Sequence, residues 1–363
     1  MAAVEGATIT VVDNGSADGS ASAIAARYAD VKLFALTENR GFTGGIAAAL
    51  RGSNARNVVF LNNDAVAEPG WLAALVDAIE SAPEDVVSAG GRIVDLEGKL
   101  IDFIGGVLTF DGHAFQNGFR YPAGSREEPA KGAEILFACG GNMISRRASL
   151  MALGGFDDDY FAYLEDVDFG WRSWLAGYRH VFAPAATVRH ASSATSDRLG
   201  NTERGVLFER NALQTAIKNY AADTFAEVSG AIFFAYLRRM HHYVTRQNQE
   251  SDELRRAPFA GSIRRTGNRI FGRKPLARID DPMTAMQFRA FEWIVQNERR
   301  IAEKRTKVQS LRKRTDEEIF RRFPLHFVPT YPGDEAMMSG PLFRLLRPDL
   351  PAADRKLSDI MRT

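Results

Sequence analysis

The sequence contains a single cysteine, Cys139, among its 363 residues. One thiol excludes a disulfide within the chain and fits a reducing compartment. The chain also lacks an excess of charge of one sign, because 46 Lys and Arg stand against 45 Asp and Glu, for a net charge of +1. The overall electrostatic field therefore does not predict a nucleic-acid partner.

Long apolar runs are missing as well. The most apolar late stretch, SGAIFFAYL at 229–237, is far shorter than the roughly 20 residues that cross a bilayer. The opening residues, MAAVE, show neither the basic nor the apolar region of a secretory signal. We therefore expect a cytoplasmic protein. Its composition, 45% hydrophobic and 25% charged, is typical of a soluble globular chain with one large domain or two smaller ones.

The first part of the chain alternates strand-like and helix-like segments. Buried strand patterns in ATITVVD, VKLFALT and NVVFLNN alternate with helix patterns, which favours a mostly parallel sheet with helices on both faces. Ligands of such sheets gather at the carboxyl ends of the strands. Asp13-Asn14 and Asn62-Asn63-Asp64 follow two of these strands, so both are candidate ligand contacts.

An acidic and aromatic segment, YFAYLEDVDFGWRSWLAGYR, runs from 160 to 179. Its apolar residues recur at helical spacing, and Glu165, Asp166 and Asp168 fall in the first turn. Acids in that position are favoured by the helix dipole whatever the function. Taken alone, the segment leaves a structural and a catalytic interpretation equally open.

Five stretches, in this order, resemble motifs of the family 2 glycosyltransferases: VVDNGSADGS, ENRGFTGGIAAAL, VVFLNNDA, GGFDDDYFAYLEDVDFGWR and VRHASSAT. The resemblance covers roughly residues 7–220 and is closest to bacterial rhamnosyltransferase-like members that build surface polysaccharides. It implies a GT-A fold, with a mostly parallel sheet flanked by helices over 1–220. A mainly helical, basic region is expected over 221–363. Family members normally begin with one more strand and helix, so the resemblance also implies a catalytic domain without that first unit.

The resemblance implies a nucleoside-diphosphate sugar as donor and a divalent cation, Mn²⁺ or Mg²⁺, that neutralises the leaving diphosphate. Asn62-Asn63-Asp64 resembles the Asp-X-Asp motif of the family, with Asp64 on the metal and Asn62 on the ribose or a phosphate. His190 matches a histidine that completes the metal site or contacts the diphosphate, and imidazole suits Mn²⁺ better than Mg²⁺. Without the neighbouring motifs, a turn at the strand end would be the preferred explanation of the Asn and Asp residues.

Further donor contacts are implied by the same resemblance. Asp13 matches an acid that contacts the base or ribose. Asn39 and Arg40 of Asn39-Arg40-Gly41 match residues near the base or phosphates. Asn142, after Cys139-Gly140-Gly141, matches the lining of the donor-sugar and acceptor pocket.

Inverting transfer is a single displacement, which needs one general base and no protein nucleophile. Glu165-Asp166 matches the acidic pair of the family, which implies that Asp166 is the base and that Glu165 orients the acceptor. Asp168 then caps the helix or pairs with Arg172. The expected activity is metal-dependent transfer to a glycan or lipid-linked acceptor in surface polysaccharide synthesis. The alternative is a non-catalytic nucleotide-sugar-binding or scaffolding protein of the same fold.

Lys and Arg are dense at 295–322, and Phe233, Phe234 and Tyr236 adjoin Arg238 and Arg239. Two interpretations stay open for this region. The basic face is either solvated, with a homodimer contact, or it attaches the protein to an anionic membrane surface, where a lipid-linked acceptor lies.

Overall fold

The computed structural model describes residues 6–191, 201–255 and 282–362. The α-helices in these ranges are α1 Ser20–Arg27, α2 Gly41–Arg51, α3 Trp71–Glu80, α4 Arg147–Ala152, α5 Glu165–Leu175, α6 Asn201–Asn219, α7 Ala222–Arg255, α8 Pro282–Gln296, α9 Glu298–Ser310, α10 Asp316–Arg322, α11 Asp334–Met338, α12 Pro341–Leu346 and α13 Leu357–Ile360. The strands are β1 Thr10–Asp13, β2 Lys32–Ala35, β3 Asn57–Leu61, β4 Ala65–Ala67, β5 Val86–Asp95, β6 Ile101–Phe103, β7 Gly106–Leu108, β8 Ala114–Gln116, β9 Glu134–Ile135, β10 Asn142–Arg146, β11 Arg179–His190, β12 Leu325–Phe327 and β13 Ala352–Asp354.

The main sheet has the strand order β3-β10-β5-β11-β4, with β6 beside β5 and β9 beside β11. β1 and β2 form a separate parallel pair. The predicted α/β class is confirmed, but strand pairing in the main sheet is mixed. β5 and β11 are parallel, whereas β10 is antiparallel to both of its neighbours. Parallel neighbours need a crossover, usually a helix, and the segment from β5 to β10 contains short strands and no helix.

Helices cover both faces of the central strands. On one face, Leu75 and Ile79 of α3 pack against β5 and β11. On the other face, Phe169 of α5 packs against β5 and β10 side chains, among them Val87 and Met143. Cover on both faces explains why nearly every residue of β5 is buried, rather than every second one.

The C-terminal region is mainly helical, as predicted, and it packs on the acidic helix α5. The Trp171 ring lies 4.7 Å from the Tyr220 ring and 5.6 Å from the Phe320 ring, and the Trp174 ring lies 4.9 Å from that of Phe323. Aromatic pairs at these distances add to the free energy of burial. One hydrophobic core therefore includes residues both from the predicted catalytic domain, 1–220, and from the predicted C-terminal region, 221–363.

Several basic side chains of 295–322 contact the ends of other helices. Arg314 donates to the carbonyls of Trp174, Gly177 and Tyr178 just after α5, at 3.2, 2.9 and 2.7 Å. Arg312 donates to Asn219 O at the end of α6. Cations are favourable at helix C-termini because the last carbonyls lack partners. Some of the basic residues at 295–322, which suggested a solvated, dimeric or membrane-facing surface, therefore make contacts within the chain.

Across the described ranges, no helix has both the length and the apolar character that spanning a membrane requires.

Candidate active site

A histidine and two carboxylates meet where β3 and β11 end. Asp64 follows β3, and pairing of β11 with β4 places His190 opposite Ala65. His190 Nε2 lies 3.1 Å from Asp64 Oδ1, and His190 Nδ1 lies 2.7 Å from Asp102 Oδ2. Burial disfavours the imidazolium, but the two carboxylates outweigh it and raise the pKa of His190 above its usual value.

These residues fit a hard divalent cation. Asp64 Oδ1 and His190 Nε2 lie side by side, 3.1 Å apart, and Asn62 Nδ2 lies 3.4 Å from that ring nitrogen. Asp102 holds the opposite ring nitrogen, the arrangement in which a carboxylate orients a metal-binding imidazole. Residues 6–191, 201–255 and 282–362 contain no group of three or more His, Cys, Asp or Glu side chains placed to bind a metal. Asp64 and His190 would therefore be two protein ligands, and the diphosphate and water would supply the others.

Asp102 was not anticipated from the sequence. It lies in β6 between Ile101 and Phe103, with 4% of its surface exposed. A lone acid inside a short apolar strand is the signal that marks it, since a buried carboxylate needs partners.

The acidic pair begins helix α5. Asp166 is half-buried; its Oδ2 accepts a hydrogen bond from the Gly140 N–H at 3.0 Å and its Oδ1 one from the Val167 N–H at 2.8 Å. Burial raises the pKa of Asp166, and these N–H groups oppose the rise. Burial and the neighbouring Asp166 charge raise the pKa of Glu165 to about 8. Glu165 is therefore mainly protonated at neutral pH, while Asp166 is the more accessible carboxylate.

The segment 140–142 connects the acidic pair to the His190 cluster. Gly140 donates to Asp166, and Asn62 N–H donates to Gly141 O at 3.3 Å. A Cβ at Gly141 would lie 2.8 Å from Asn62 Nδ2, so a larger residue would displace the Asn62 side chain. Two backbone contacts thus place Asp166 and Asn62 on opposite sides of one short turn.

Asn142, predicted as a pocket-lining contact, lies inside the sheet. It is fully buried, and its amide donates to Arg92 O and Ala186 O at 3.0 and 2.9 Å. Its oxygen accepts from the Trp71 indole at 2.7 Å. In the structure these bonds use the amide to hold strands together.

The candidate base-binding residues are organised around Asn14. Its side chain accepts from Arg40 N–H at 2.9 Å and donates to Gly41 O at 2.8 Å, while Asn39 Oδ1 accepts from Gly41 N–H at 2.9 Å. Arg40 is exposed, and Asp13 Oδ2 accepts from Ser16 N–H at 3.1 Å. Local turn chemistry therefore accounts for Asn39 and for one Asp13 oxygen, and Arg40 remains available to an anionic ligand.

This turn also touches the acidic segment. Thr43 N–H in the first turn of α2 donates to Phe161 O at 3.2 Å. A Cβ at Gly41, whose φ is +71°, would lie 2.3 Å from that oxygen. The predicted donor-binding turn and the acidic helix are thus held together by backbone contacts.

A cavity of about 200 Å³ opens beside His190. Asp95, Glu97, Asp102, Phe119 and Arg120 line part of its wall. Carboxylates, one guanidinium and one aromatic ring suit a ligand that carries hydroxyl groups.

Residues 5–154 match the family described as Glycosyl transferase family 2. This match, together with the mixed α/β sheet flanked by helices, supports the family 2 resemblance and the GT-A type fold that the sequence motifs predicted.

Two curated relatives resemble the chain over about half of its length. The N-acetylglucosaminyl-diphospho-decaprenol L-rhamnosyltransferase of Mycobacterium tuberculosis is 29% identical over 214 residues, 53% of this chain and 68% of that protein. The O-antigen biosynthesis protein RfbC of Myxococcus xanthus is 27% identical over 194 residues, 52% of this chain and 15% of that protein.

Two solved structures are more distant. GalNAc-T7 with UDP, GalNAc and Mn²⁺ has a TM-score of 0.46 at 14% identity, over 62% of this chain and 44% of that one. The mannosyltransferase PcManGT of Pyrobaculum calidifontis, in complex with GDP-Man and Mn²⁺, has a TM-score of 0.44 at 19% identity, over 80% and 78%.

Proposed function

We propose that this chain transfers a sugar, with inversion, from a nucleoside-diphosphate donor to a hydroxyl of a glycan or lipid-linked acceptor. The observation that carries the proposal is the short path from Asp166 through Gly140 and Gly141 to Asn62 beside His190. In the proposed reaction one bond to the anomeric carbon forms, to the acceptor oxygen, while another breaks, to the diphosphate. A base on one side of a turn and a diphosphate site on the other side fit this arrangement. The family match and the complete acidic pair favour turnover over the non-catalytic alternative.

Asp64 and His190 would hold the divalent cation, which supplies charge neutralisation for the leaving diphosphate. Asp102 keeps the His190 ring oriented through its 2.7 Å contact with Nδ1. Arg40 is exposed at the turn before α2 and provides a further cation for the nucleotide part of the donor.

The acceptor hydroxyl would lose its proton to Asp166 as its oxygen bonds to the anomeric carbon. The bond from that carbon to the diphosphate breaks in the same step, and the nucleoside diphosphate leaves with the electron pair. Glu165, with a pKa of about 8, is protonated at neutral pH. It can donate a hydrogen bond that orients the acceptor, and it does not compete for the proton.

The cavity beside His190 is the proposed acceptor site. Its carboxylates can accept hydrogen bonds from sugar hydroxyls, and Arg120 can pair with a phosphate. The mycobacterial relative is named for transfer of L-rhamnose to a lipid-linked acceptor, N-acetylglucosaminyl-diphospho-decaprenol. We propose an acceptor of that class, a sugar joined by diphosphate to a lipid.

Removing the metal ligands should weaken nucleotide binding. We expect Asp64→Ala to lower the affinity for a nucleoside diphosphate in the presence of Mn²⁺, and His190→Ala to lower it less. Asp102→Asn should cost about 10–100-fold in Mn²⁺ affinity, the usual effect of losing the group that orients a ligand. Isothermal calorimetry with Mn²⁺ and with chelator measures these affinities.

The matched control is Asp77→Asn, which removes a surface carboxylate paired with Lys131 and should leave binding unchanged. Equal nucleotide affinity in Mn²⁺ and in chelator would rule out this metal site.

A lipid-linked acceptor requires contact with a membrane, and we propose that α7 and α12 supply it. Phe233 and Leu237 on α7 are 39% and 62% exposed, and Leu342 and Leu345 on α12 are 58% and 80% exposed. The two helices pack together, with Leu346 close to Gly230. Exposed Arg238 and Arg344 adjoin these apolar side chains, the combination that favours an anionic interface.

We expect the protein to float with anionic vesicles at low salt and less at high salt, since exposed charges are screened. Leu237→Glu and Leu345→Glu should abolish flotation, and Met151→Glu, at a 41% exposed position of α4, should not. A concentration-dependent dimer in light scattering, without vesicle binding, would instead assign this surface to a homodimer.

A further inference from the structure

Strained backbone is concentrated immediately before the acidic pair. In the described part of the chain, four residues other than glycine have positive φ, and three of them are Phe161, Tyr163 and Leu164, at +63°, +70° and +63°. Phe161 has ψ of −59°, and the Ala162 N–H donates to Tyr160 O at 2.7 Å across it. A three-residue turn with positive φ at its centre is rare and strained. Such strain persists only where surrounding contacts over-determine the conformation.

The contact that over-determines this segment comes from Asn211 in α6. Its side-chain nitrogen lies 3.1, 2.8 and 2.7 Å from the carbonyl oxygens of Tyr160, Ala162 and Tyr163. Asn211 is fully buried. The positive φ angles turn these carbonyls inward toward one point, where they would repel one another without a donor between them.

The orientation of this amide is fixed from its other side. Asn211 Oδ1 accepts a hydrogen bond from Gln214 Nε2 at 2.9 Å. The oxygen therefore faces a donor, and the NH₂ group faces the carbonyls. An aspartate at this position would match the shape but would place a carboxylate oxygen where the donor is required.

The segment controls where the acidic pair points. Phe161 O is bound by the Thr43 N–H, and Leu164, in the left-handed region, is the residue from which α5 begins. Glu165 and Asp166 follow directly, so a relaxed backbone at 161–164 would rotate the first turn of α5. A displacement of about 1 Å in a reacting group can cost about 10²-fold in rate.

We propose that Asn211 is a positioning residue of the transfer reaction, whose amide holds residues 160–164 in the strained conformation that aims Asp166 into the cleft. The proposal rests on the proposed role of Asp166 as general base. Asn211 lies in none of the sequence motifs that carry the family resemblance, and it reaches the site only through the backbone of another segment.

The test compares Asn211→Ala and Asn211→Asp with the full-length wild-type protein. Both variants should lower kcat by about 10–10²-fold, with the donor KM and the Mn²⁺–nucleotide affinity within about three-fold of wild type. Hydrogen exchange of the amides at 160–166 should accelerate in both. The matched control is Thr215→Val in the same helix, which removes the 2.5 Å contact to the Tyr160 hydroxyl and leaves the carbonyl contacts in place. Its kcat should stay near wild type.

A second substitution separates positioning from general loss of stability. Tyr163→Gly introduces a residue that adopts positive φ without strain, so it should recover part of the kcat lost in Asn211→Ala. The proposal is overturned if Asn211→Ala keeps kcat within three-fold, if Thr215→Val loses as much, or if exchange at 160–166 is unchanged. Because exchange is measured without turnover, its result stands even if Asp166 proves not to be the base.

Discussion

Replacing Asp166 by asparagine is expected to lower kcat by about 10²–10⁴-fold, the usual contribution of a general base. The substitution keeps the volume and one acceptor oxygen, so the hydrogen bond from the Gly140 N–H, at 3.0 Å in the structure, can remain. The hydrogen bond from the Val167 N–H and the capacity to take the acceptor proton are lost. Nucleotide affinity should therefore stay within a few-fold. Steady-state kinetics with donor and acceptor, together with calorimetry of nucleotide binding, separate the two quantities.

Glu165→Gln is the informative comparison. Because the pKa of Glu165 is raised to about 8, the glutamine copies the protonated form that prevails at neutral pH. We expect a loss below about ten-fold at pH 7, well under that of Asp166→Asn. A large loss in Glu165→Gln with near-normal turnover in Asp166→Asn would exchange the roles of the two residues.

The second large effect concerns stability. Lys218 is 1% exposed, and its Nζ lies 2.5 Å from Asp157 Oδ2 and 3.0 Å from Asp168 Oδ1. Lys218→Met should lower the free energy of unfolding by about 3 kcal/mol, because it removes the most buried cation of an ion cluster whose two carboxylates remain buried. Arg172, 2.8 Å from Asp168, and the half-buried Lys304 beside Asp157 remain and compensate these carboxylates only in part. Urea unfolding of both proteins measures the difference.

The control is Lys304→Met, which removes a second cation from the same Asp157 carboxylate. Lys304 is 26% exposed, so water can replace it and we expect a loss of about 1 kcal/mol or less.

The pH dependence gives an independent check of the Lys218 cluster. Although burial opposes it, Arg172 and Lys218 lower the pKa of Asp168. The pairing therefore stabilises the fold above the unfolded pKa of about 4 and is lost as the pH falls below it. The difference in free energy of unfolding between wild type and Lys218→Met should accordingly decrease in acid. A difference that is small at neutral pH, or that increases in acid, would contradict the role assigned to Lys218.

Local pattern was sufficient to predict part of this molecule. The family resemblance implied that Asp64 and His190 share one site, and their side chains lie 3.1 Å apart. The apolar spacing after Glu165 predicted a helix, and α5 begins at that residue.

Contacts between residues that are distant in the sequence could not be predicted from local sequence patterns. Asp102 and His190 are 88 residues apart, and no residue near Asp102 indicates that its partner is a histidine. Asn142 was predicted to line the pocket because its segment resembles a pocket-lining part of the family, and strand pairing buries it. β10 is antiparallel to its neighbours, and the chain reaches it from β5 through short strands rather than through a crossover helix. Tertiary packing decides this connection, and local propensity does not indicate it. Composition likewise could not show that Arg314 faces a helix end rather than solvent.

The contact of Arg314 with the end of α5 also bears on how the protein is made. Arg314 follows the carbonyls it binds by 136 to 140 residues. Chains emerge at about 5–20 residues per second, so the ribosome needs about 7–28 s to deliver this arginine after α5 has been synthesised. During that interval the carbonyls of Trp174, Gly177 and Tyr178 lack the guanidinium, and the surfaces of Trp171 and Trp174 that later meet α10 are open to water. The carboxylates proposed for catalysis are thus made well before the residues that complete the packing of their helix.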